Sequence, residues 1–154
     1  MTTITGTNQT IFINYDSGSG DFQYSFDTPD TWIGGISFPV TFVNSNPIQD
    51  NTLNIIFYTN LTISDVNQYF IIGSDYITIS GIYNSNVVNI TVDNITDYFG
   101  LMQNGNLDND PQINAFSNTT ISYINIISNN STISPAFGWV CQQYYGINGS
   151  NNII

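Results

Sequence analysis

The chain has 154 residues, of which 41% are hydrophobic, enough for one domain with a packed core. It contains no Lys, Arg or His, and all eleven acidic residues are Asp, so its net charge at pH 7 is −11. Without side-chain cations it has nothing to neutralise nucleic-acid phosphates or anionic lipid head groups, and its side chains cannot form ion pairs with one another. Strand-favouring Ile, Thr, Tyr and Phe, with turn-favouring Asn, Asp, Gly and Ser, predict an all-β fold.

The first 32 residues predict two strands, at 11–15 and 22–26, joined by a polar loop at 16–21. This segment differs from the sequence that follows it. We therefore expect an N-terminal cap or hairpin over residues 1–32, ahead of a repetitive region that spans residues 33–154.

From residue 33 onward, short strand-like runs alternate with turn signals, and no stretch shows a capped helical period. The turn signals lie at 44–47, 73–75, 84–86 and 104–106. The predicted strands are 36–43, 53–58, 69–72, 76–80, 87–92, 119–127 and 136–141.

A four-residue phrase recurs at 61–64, 77–80, 90–93 and 119–122. The longer segment 89–95 aligns with 118–124, and each is followed by a second similar block, at 99–103 and 137–142. Short strands repeated every 20–30 residues or so are typical of a solenoid, here a parallel β-helix with alternate side chains inward and Asn ladders at the bends. A β-sandwich with coincidental repetition is the alternative.

These segments also resemble a known group of proteins. The runs "VVNITVDNITDYFGLMQNG" and "NTTISYINIISNNSTISPAFGWVCQQYYG" resemble repeat proteins encoded by giant DNA viruses that infect amoebae. The run "YFIIGSDYITISGI" is similar to the general phrase of right-handed parallel β-helices of the pectate-lyase-like type. The resemblance covers most of residues 33–147; it implies a right-handed β-helix and a viral source, and it implies no particular activity.

The sequence offers little catalytic chemistry. Without His, nucleophilic triads are excluded, and the single Cys141 can form no intrachain disulfide. Lyases of similar fold need an Arg or Lys base, which is absent. We therefore predict that the chain is not an enzyme, and retain an Asp-based glycoside hydrolase as a third hypothesis, with the candidate acids Asp65, Asp75, Asp93 and Asp97.

No cofactor is predicted, apart from one candidate calcium loop. Asn106, Asp108 and Asp110 place oxygen ligands on alternate residues after Gly105, which suits Ca²⁺. No Glu closes the loop, and a polar turn that hydrogen-bonds to itself explains the same pattern. The acidic loop 16–21 is a weaker candidate of the same kind.

Several aromatic residues are candidates for ligand binding, because exposed rings beside Asn and Asp line sugar-binding grooves. The set comprises Trp32, Trp139, Tyr144 and Tyr145, with Tyr83 as a further aromatic. The same residue types are also ordinary members of β-cores and interfaces.

The leading hypothesis is a structural or surface protein of a viral particle, which associates with other copies or with other structural proteins. A carbohydrate-binding adhesin that recognises glycans is the alternative. Residues 1–5 lack the basic and apolar regions of a signal peptide, and no apolar run is long enough to span a membrane. The last residues read as the start of another strand, so we expect a longer protein or a partner that covers this end.

Overall fold

The computed structural model describes residues 1–64, 70–93, 102–105, 116–128, 151 and 153. These ranges contain strands and no helix, so the all-β prediction is confirmed, and none of them supplies a helix able to cross a membrane. The strands are β1 (Thr2–Gly6), β2 (Thr10–Asp16), β3 (Asp21–Phe26), β4 (Val40–Asn44), β5 (Leu53–Phe57), β6 (Leu61–Ser64), β7 (Phe70–Ile72), β8 (Ile77–Ser80), β9 (Ile82–Tyr83), β10 (Asn86–Asp93), β11 (Met102–Asn104), β12 (Thr120–Ser122) and β13 (Ile124–Ser128).

The strands form three sheets. The first sheet has the order β1-β4-β7-β11, the second β12-β8-β5-β2-β3, and the third β13-β10-β6 with β9 attached to β10. All neighbours in the first sheet are parallel. The second and third sheets are mixed, because each carries one antiparallel hairpin, β2–β3 and β9–β10 respectively.

The chain visits the three sheets in a fixed order. It passes through β4, β5 and β6, then through β7, β8 and β10, and then through β11, β12 and β13, each time from the first sheet to the second and the third. Each of these strands pairs in parallel with the strand that occupies the same sheet in the next circuit. Residues in equivalent positions of successive circuits therefore lie side by side.

The core consists of columns of apolar side chains that run from circuit to circuit. In the second sheet, Ile11 pairs with Ile55, Ile55 with Ile79, and Ile79 with Ile121, and all four side chains are buried. Burial alternates along β4 and β5, because successive side chains of a strand point to opposite faces. Only one residue in two is therefore available to the core; in these two strands those positions hold Val, Phe, Leu and Ile, apart from Asn44 at the end of β4.

The corner that leads into the second sheet has a recurring backbone conformation. Asn8, Tyr76, Asn118 and Asn151 have φ values of 49°, 55°, 56° and 55°, in the left-handed region. By the register of the second sheet, all four occupy the same position, two residues before a paired residue of the strand. Asn tolerates this conformation better than most residues, which accounts for three of the four.

Asparagine side chains link successive circuits, at the predicted bend position for Asn118 and Asn151 but within the strands for Asn89 and Asn125. The amide nitrogen of Asn151 donates to Oδ1 of Asn118 at 2.9 Å. On the third sheet, Nδ2 of Asn125 donates to Oδ1 of Asn89 at 3.2 Å, and the backbone N–H of Asn89 donates to Oδ1 of Asn60 at 2.9 Å. Each bond joins residues that the parallel register places side by side.

Buried amides also hold the corners between the first and second sheets. Nδ2 of Asn44 donates to the carbonyl of Asn51 in its own circuit and to the carbonyl of Tyr76 in the next. In a later circuit, Asn104 exchanges two hydrogen bonds with the backbone of Phe116, at 3.0 and 2.8 Å. Both side chains are buried, so these bonds satisfy polar groups that water does not reach.

Several predicted strand limits need correction. The run 36–43 forms a strand only from Val40, and the run 119–127 divides into β12 and β13 at Tyr123, which has a φ of 55°. Four strands were not predicted: β1, β6, β9 and β11. The predicted strand 136–141 lies outside the described residues. Parallel pairing begins within the first 32 residues, since β1 and β2 pair with β4 and β5.

The alignment of 89–95 with 118–124 is wrong in register. Asn89 pairs with Asn125 on the third sheet, whereas Thr120 pairs with Thr78 on the second. The recurring phrase therefore belongs to two different sheets: its copies at 61–64 and 90–93 pair in the third sheet, and those at 77–80 and 120–122 pair in the second.

A methyl group at Gly81 should destabilise the fold. A Cβ there would collide with the carbonyl oxygen of Tyr123 in the next circuit and would lie 2.7 Å from Cγ2 of Val88. We expect Gly81→Ala to lower the free energy of unfolding by about 1–3 kcal/mol, measured by urea denaturation. Gly34→Ala is the matched control, because a Cβ at Gly34 meets nothing within 4 Å. Equal effects of the two substitutions would contradict the close approach.

Glycine at position 85 should stabilise the β9–β10 hairpin. Asn84 and Ser85 have φ values of 48° and 66°, as in a type I′ turn, which favours Asn-Gly. We expect Ser85→Gly to raise the free energy of unfolding by about 0.5–1 kcal/mol. Glycine removes the steric cost of a left-handed residue in the folded state, about 1–2 kcal/mol, and this gain exceeds the cost of the greater entropy of the unfolded chain. Ser17→Gly, at an exposed position without a positive φ, should give no gain. A gain of equal size at both positions would refute the turn assignment.

Candidate functional site

Three half-buried aromatic residues, Trp32, Tyr58 and Tyr83, form a cluster that we call the aromatic ridge. The ring centroids of Trp32 and Tyr58 are 5.4 Å apart, and those of Tyr58 and Tyr83 are 4.8 Å apart, with interplanar angles of 46° and 56°. Phe12 supports the ridge through edge-to-face contacts with both tyrosines, at 6.2 and 5.5 Å. The ridge is thus a continuous surface of tilted rings.

The ridge lies on the outer face of the second sheet. Ile11 and Ile13 of β2 point into the core, so Phe12 between them points outward. Phe12 is nevertheless only 5% exposed. Since its ring contacts Tyr58 and Tyr83, these tyrosines account for part of its burial.

Hydrogen bonds to β3 position one end of the ridge, and the β9–β10 hairpin positions the other. Ile33, next to Trp32, exchanges two backbone hydrogen bonds with Tyr24 of β3, at 3.0 and 2.8 Å. The hydroxyl of Ser25 donates to the carbonyl of Thr28, which holds the segment before Trp32 against β3. At the other end, the tight β9–β10 hairpin presents Tyr83.

Two exposed carboxylates lie in the segment that leads to Trp32. Oδ1 of Asp27 accepts a hydrogen bond from the backbone N–H of Thr10 at 3.3 Å, and Oδ1 of Asp30 accepts one from the hydroxyl of Thr28 at 2.7 Å. The chain has no Lys, Arg or His, so no side chain of its own can neutralise either carboxylate. The stretch of chain that carries Trp32 therefore also carries two carboxylates that no side-chain cation of the chain neutralises.

The structure places one of the four predicted ligand-binding residues, Trp32, in the ridge. The other three, Trp139, Tyr144 and Tyr145, lie outside the described residues. Tyr58 was not predicted to belong to the site. Its signal in the sequence is weak: it directly follows the buried Phe57, so strand alternation turns it outward.

The candidate calcium ligands Asn106, Asp108 and Asp110 lie outside the described residues, as does Cys141. Among the residues that are described, no group of three or more His, Cys, Asp or Glu side chains could hold a metal ion.

The loop between β2 and β3 is a polar turn that bonds to itself. Oδ1 of Asp16 accepts from the backbone N–H of Gly18 at 2.9 Å, and Oδ2 accepts from the hydroxyl of Ser19 at 3.0 Å. The bond from Gly18, followed by that from Ser19, lowers the pKa of Asp16, because both favour the ionised form. Asp16 therefore stabilises its own turn.

Of the four acids considered for a hydrolase, Asp75 is the one whose side chain is described. Its Oδ1 accepts a hydrogen bond from the backbone N–H of Ser117, in the next circuit, at 2.7 Å. Asp65 and Asp97 lie outside the described residues, as does the side chain of Asp93. The observed contact gives Asp75 a role in joining circuits.

The contribution of Asp16 to stability should depend on pH in a defined direction. A carboxylate whose pKa is lowered by folding stabilises the fold above its unfolded pKa, and loses that effect as the pH falls through its folded pKa. We expect wild type to be more stable than Asp16→Asn at neutral pH, and the difference to shrink below about pH 4. Thermal unfolding at a series of pH values measures this difference.

In Ser19→Ala, an NMR titration should show the pKa of Asp16 closer to its ordinary value. An unchanged titration would contradict the role of the hydroxyl.

No protein family model, curated protein or solved structure matches this chain. A function must therefore be inferred from its own residues. The strongest features are the fixed order of the three sheets, the bonds between circuits, and the aromatic ridge with two exposed carboxylates in the segment that leads to it.

Proposed function

We propose that the chain is a right-handed parallel β-helix and a non-enzymatic structural or surface component of a viral particle. The observation that carries this proposal is the fixed order in which the chain returns to three sheets, with parallel pairing between successive circuits. Right-handedness is the expected choice, because about 98% of crossovers between parallel strands of one sheet are right-handed. The viral assignment rests on the sequence resemblance.

The bonds between circuits support a structural role. Backbone ladders, apolar columns and the amide bonds of Asn44, Asn89 and Asn118 all connect one circuit to the next. Such a stack resists unfolding through contacts between neighbours, as in other repeat proteins. Stability of this kind suits a protein that must persist outside a cell.

The hairpin β2–β3 supports the proposed division into a cap and a set of turns. Because β3 pairs antiparallel with β2, it occupies the edge at which another parallel strand would add to the second sheet. Aromatic side chains from the hairpin pack against the core. They are Tyr15, Phe22, Tyr24 and Phe26. We infer that residues 1–32 contribute the cap, with β1 and β2 joined in parallel to the first turn, and that 33–154 form the turns.

The third sheet offers a surface for association with other copies or other structural proteins. Tyr123 and Ile127 are exposed on or next to β13, and Val87 is exposed on the neighbouring β10. Asn89 and Asn125 lie between them, Thr91 pairs with Ile127, and none of these residues is charged. Since two copies cannot form ion pairs between side chains, we expect them to associate through uncharged surfaces of this kind.

Immunogold electron microscopy of particles purified from the infected host tests the proposal. We expect label at regular density on the particle surface, and loss of the label after mild protease treatment of intact particles. Quantitative mass spectrometry of the same particles should recover the chain in many copies. Its absence from purified particles, with recovery only from soluble host fractions, would overturn the structural role.

A further inference from the structure

We propose that the aromatic ridge, with Asp27 and Asp30 beside it, is the docking surface for an Arg- and Lys-bearing segment of a partner protein. This inference stands on the geometry and charge of the ridge, and does not depend on the proposed role in a viral particle.

The rings provide the first half of the site. Trp32, Tyr58 and Tyr83 are half-buried, so each side chain keeps part of its surface open to solvent. The interplanar angles of 46° and 56° mean that the rings are not stacked flat on one another. A guanidinium or ammonium group placed over such a ring is attracted by the negative face of the π system, and Arg also stacks on it.

The carboxylates provide the second half. Asp27 accepts a hydrogen bond from the backbone N–H of Thr10, which lies in β2 two residues before Phe12. Asp30 is exposed and lies two residues before Trp32. Both carboxylates thus belong to the elements that build the ridge.

The charge of the whole chain selects the partner. With a net charge of −11 and no Lys, Arg or His, neither this chain nor a second copy can supply a side-chain cation to the ridge. An anionic partner would be repelled. A basic segment of a different protein satisfies both halves of the site, and the overall negative potential would speed its approach.

A neutral glycan is the competing occupant, because sugar rings also stack on Trp and Tyr. It would gain nothing from the two carboxylates or from the net charge. Dependence on salt therefore separates the two occupants: binding of a basic segment weakens as salt screens the charges, and sugar stacking does not.

The experiment uses the full chain and a fluorescein-labelled decapeptide of alternating Arg and Gly, with fluorescence anisotropy as the measurement. We expect saturable binding that weakens strongly between about 0.01 M and about 1 M salt.

Trp32→Leu keeps an apolar side chain without the π face, and should weaken binding by between about threefold and tenfold. Trp32→Phe retains a ring and should bind more tightly than Trp32→Leu. Circular dichroism and melting curves confirm that each variant is folded.

Two matched controls test whether the ridge is specific. Ile48→Ala removes an exposed apolar side chain from the loop between β4 and β5, outside the ridge, and should leave binding unchanged. Asp30→Asn should weaken binding more than Asp50→Asn, which removes the same charge from an exposed position in the loop between β4 and β5.

Three results would overturn the proposal. The first is peptide binding that is insensitive to Trp32→Leu. The second is equal loss in Asp30→Asn and Asp50→Asn, which would indicate attraction to the net charge alone. The third is salt-insensitive, Trp32-dependent binding of cellohexaose or chitohexaose without peptide binding, which would make the ridge a sugar platform.

Discussion

The parallel register between successive circuits is the constraint on which the rest of the structure depends. It places Ile11, Ile55, Ile79 and Ile121 side by side, so that each buried side chain packs on its counterparts. Because side chains alternate along a strand, a shift of one residue in any circuit would send that circuit's apolar set to the solvent. The corners must therefore start every strand so that the same set of side chains faces the core.

A few local features of the corners set this orientation of the strands. A left-handed residue precedes the second sheet at Asn8, Tyr76 and Asn118, although the equivalent residue before β5, Thr52, has no positive φ. Gly81 lets the carbonyl of Tyr123 come closer than a Cβ would allow. Asn44 bonds to the backbone of its own circuit and of the next, which fixes the spacing of the two. The contacts at the corners and the packing of the core thus favour the same register between successive circuits.

The composition and the phrase Ile-Thr-Ile-Ser were enough to predict an all-β fold and most of its strands, but not the sheet to which each strand belongs. The copies at 77–80 and 90–93 look alike because both sheets need the same alternation of buried and outward residues. Local pattern cannot separate them, since the difference lies in partners far along the chain. The ridge shows the same limit: Trp32 was a candidate, but Tyr58 belongs with it only because β3 and β5 flank β2.

The absence of cations determines how the surface can be used. Without internal ion pairs, packing and hydrogen bonds must hold the fold, and each carboxylate adds repulsion that only solvent ions or a partner can offset. Asp16, Asp21, Asp27 and Asp30 lie in the β2–β3 hairpin and the segment that follows it, whereas the described residues Asn89, Thr91 and Asn125 on the outer face of the third sheet are uncharged. The chain therefore presents an acidic, aromatic region and, around Asn89 and Asn125, an uncharged patch of sheet. A basic partner fits the former, and copies of the chain can meet without added repulsion only through surfaces like the latter.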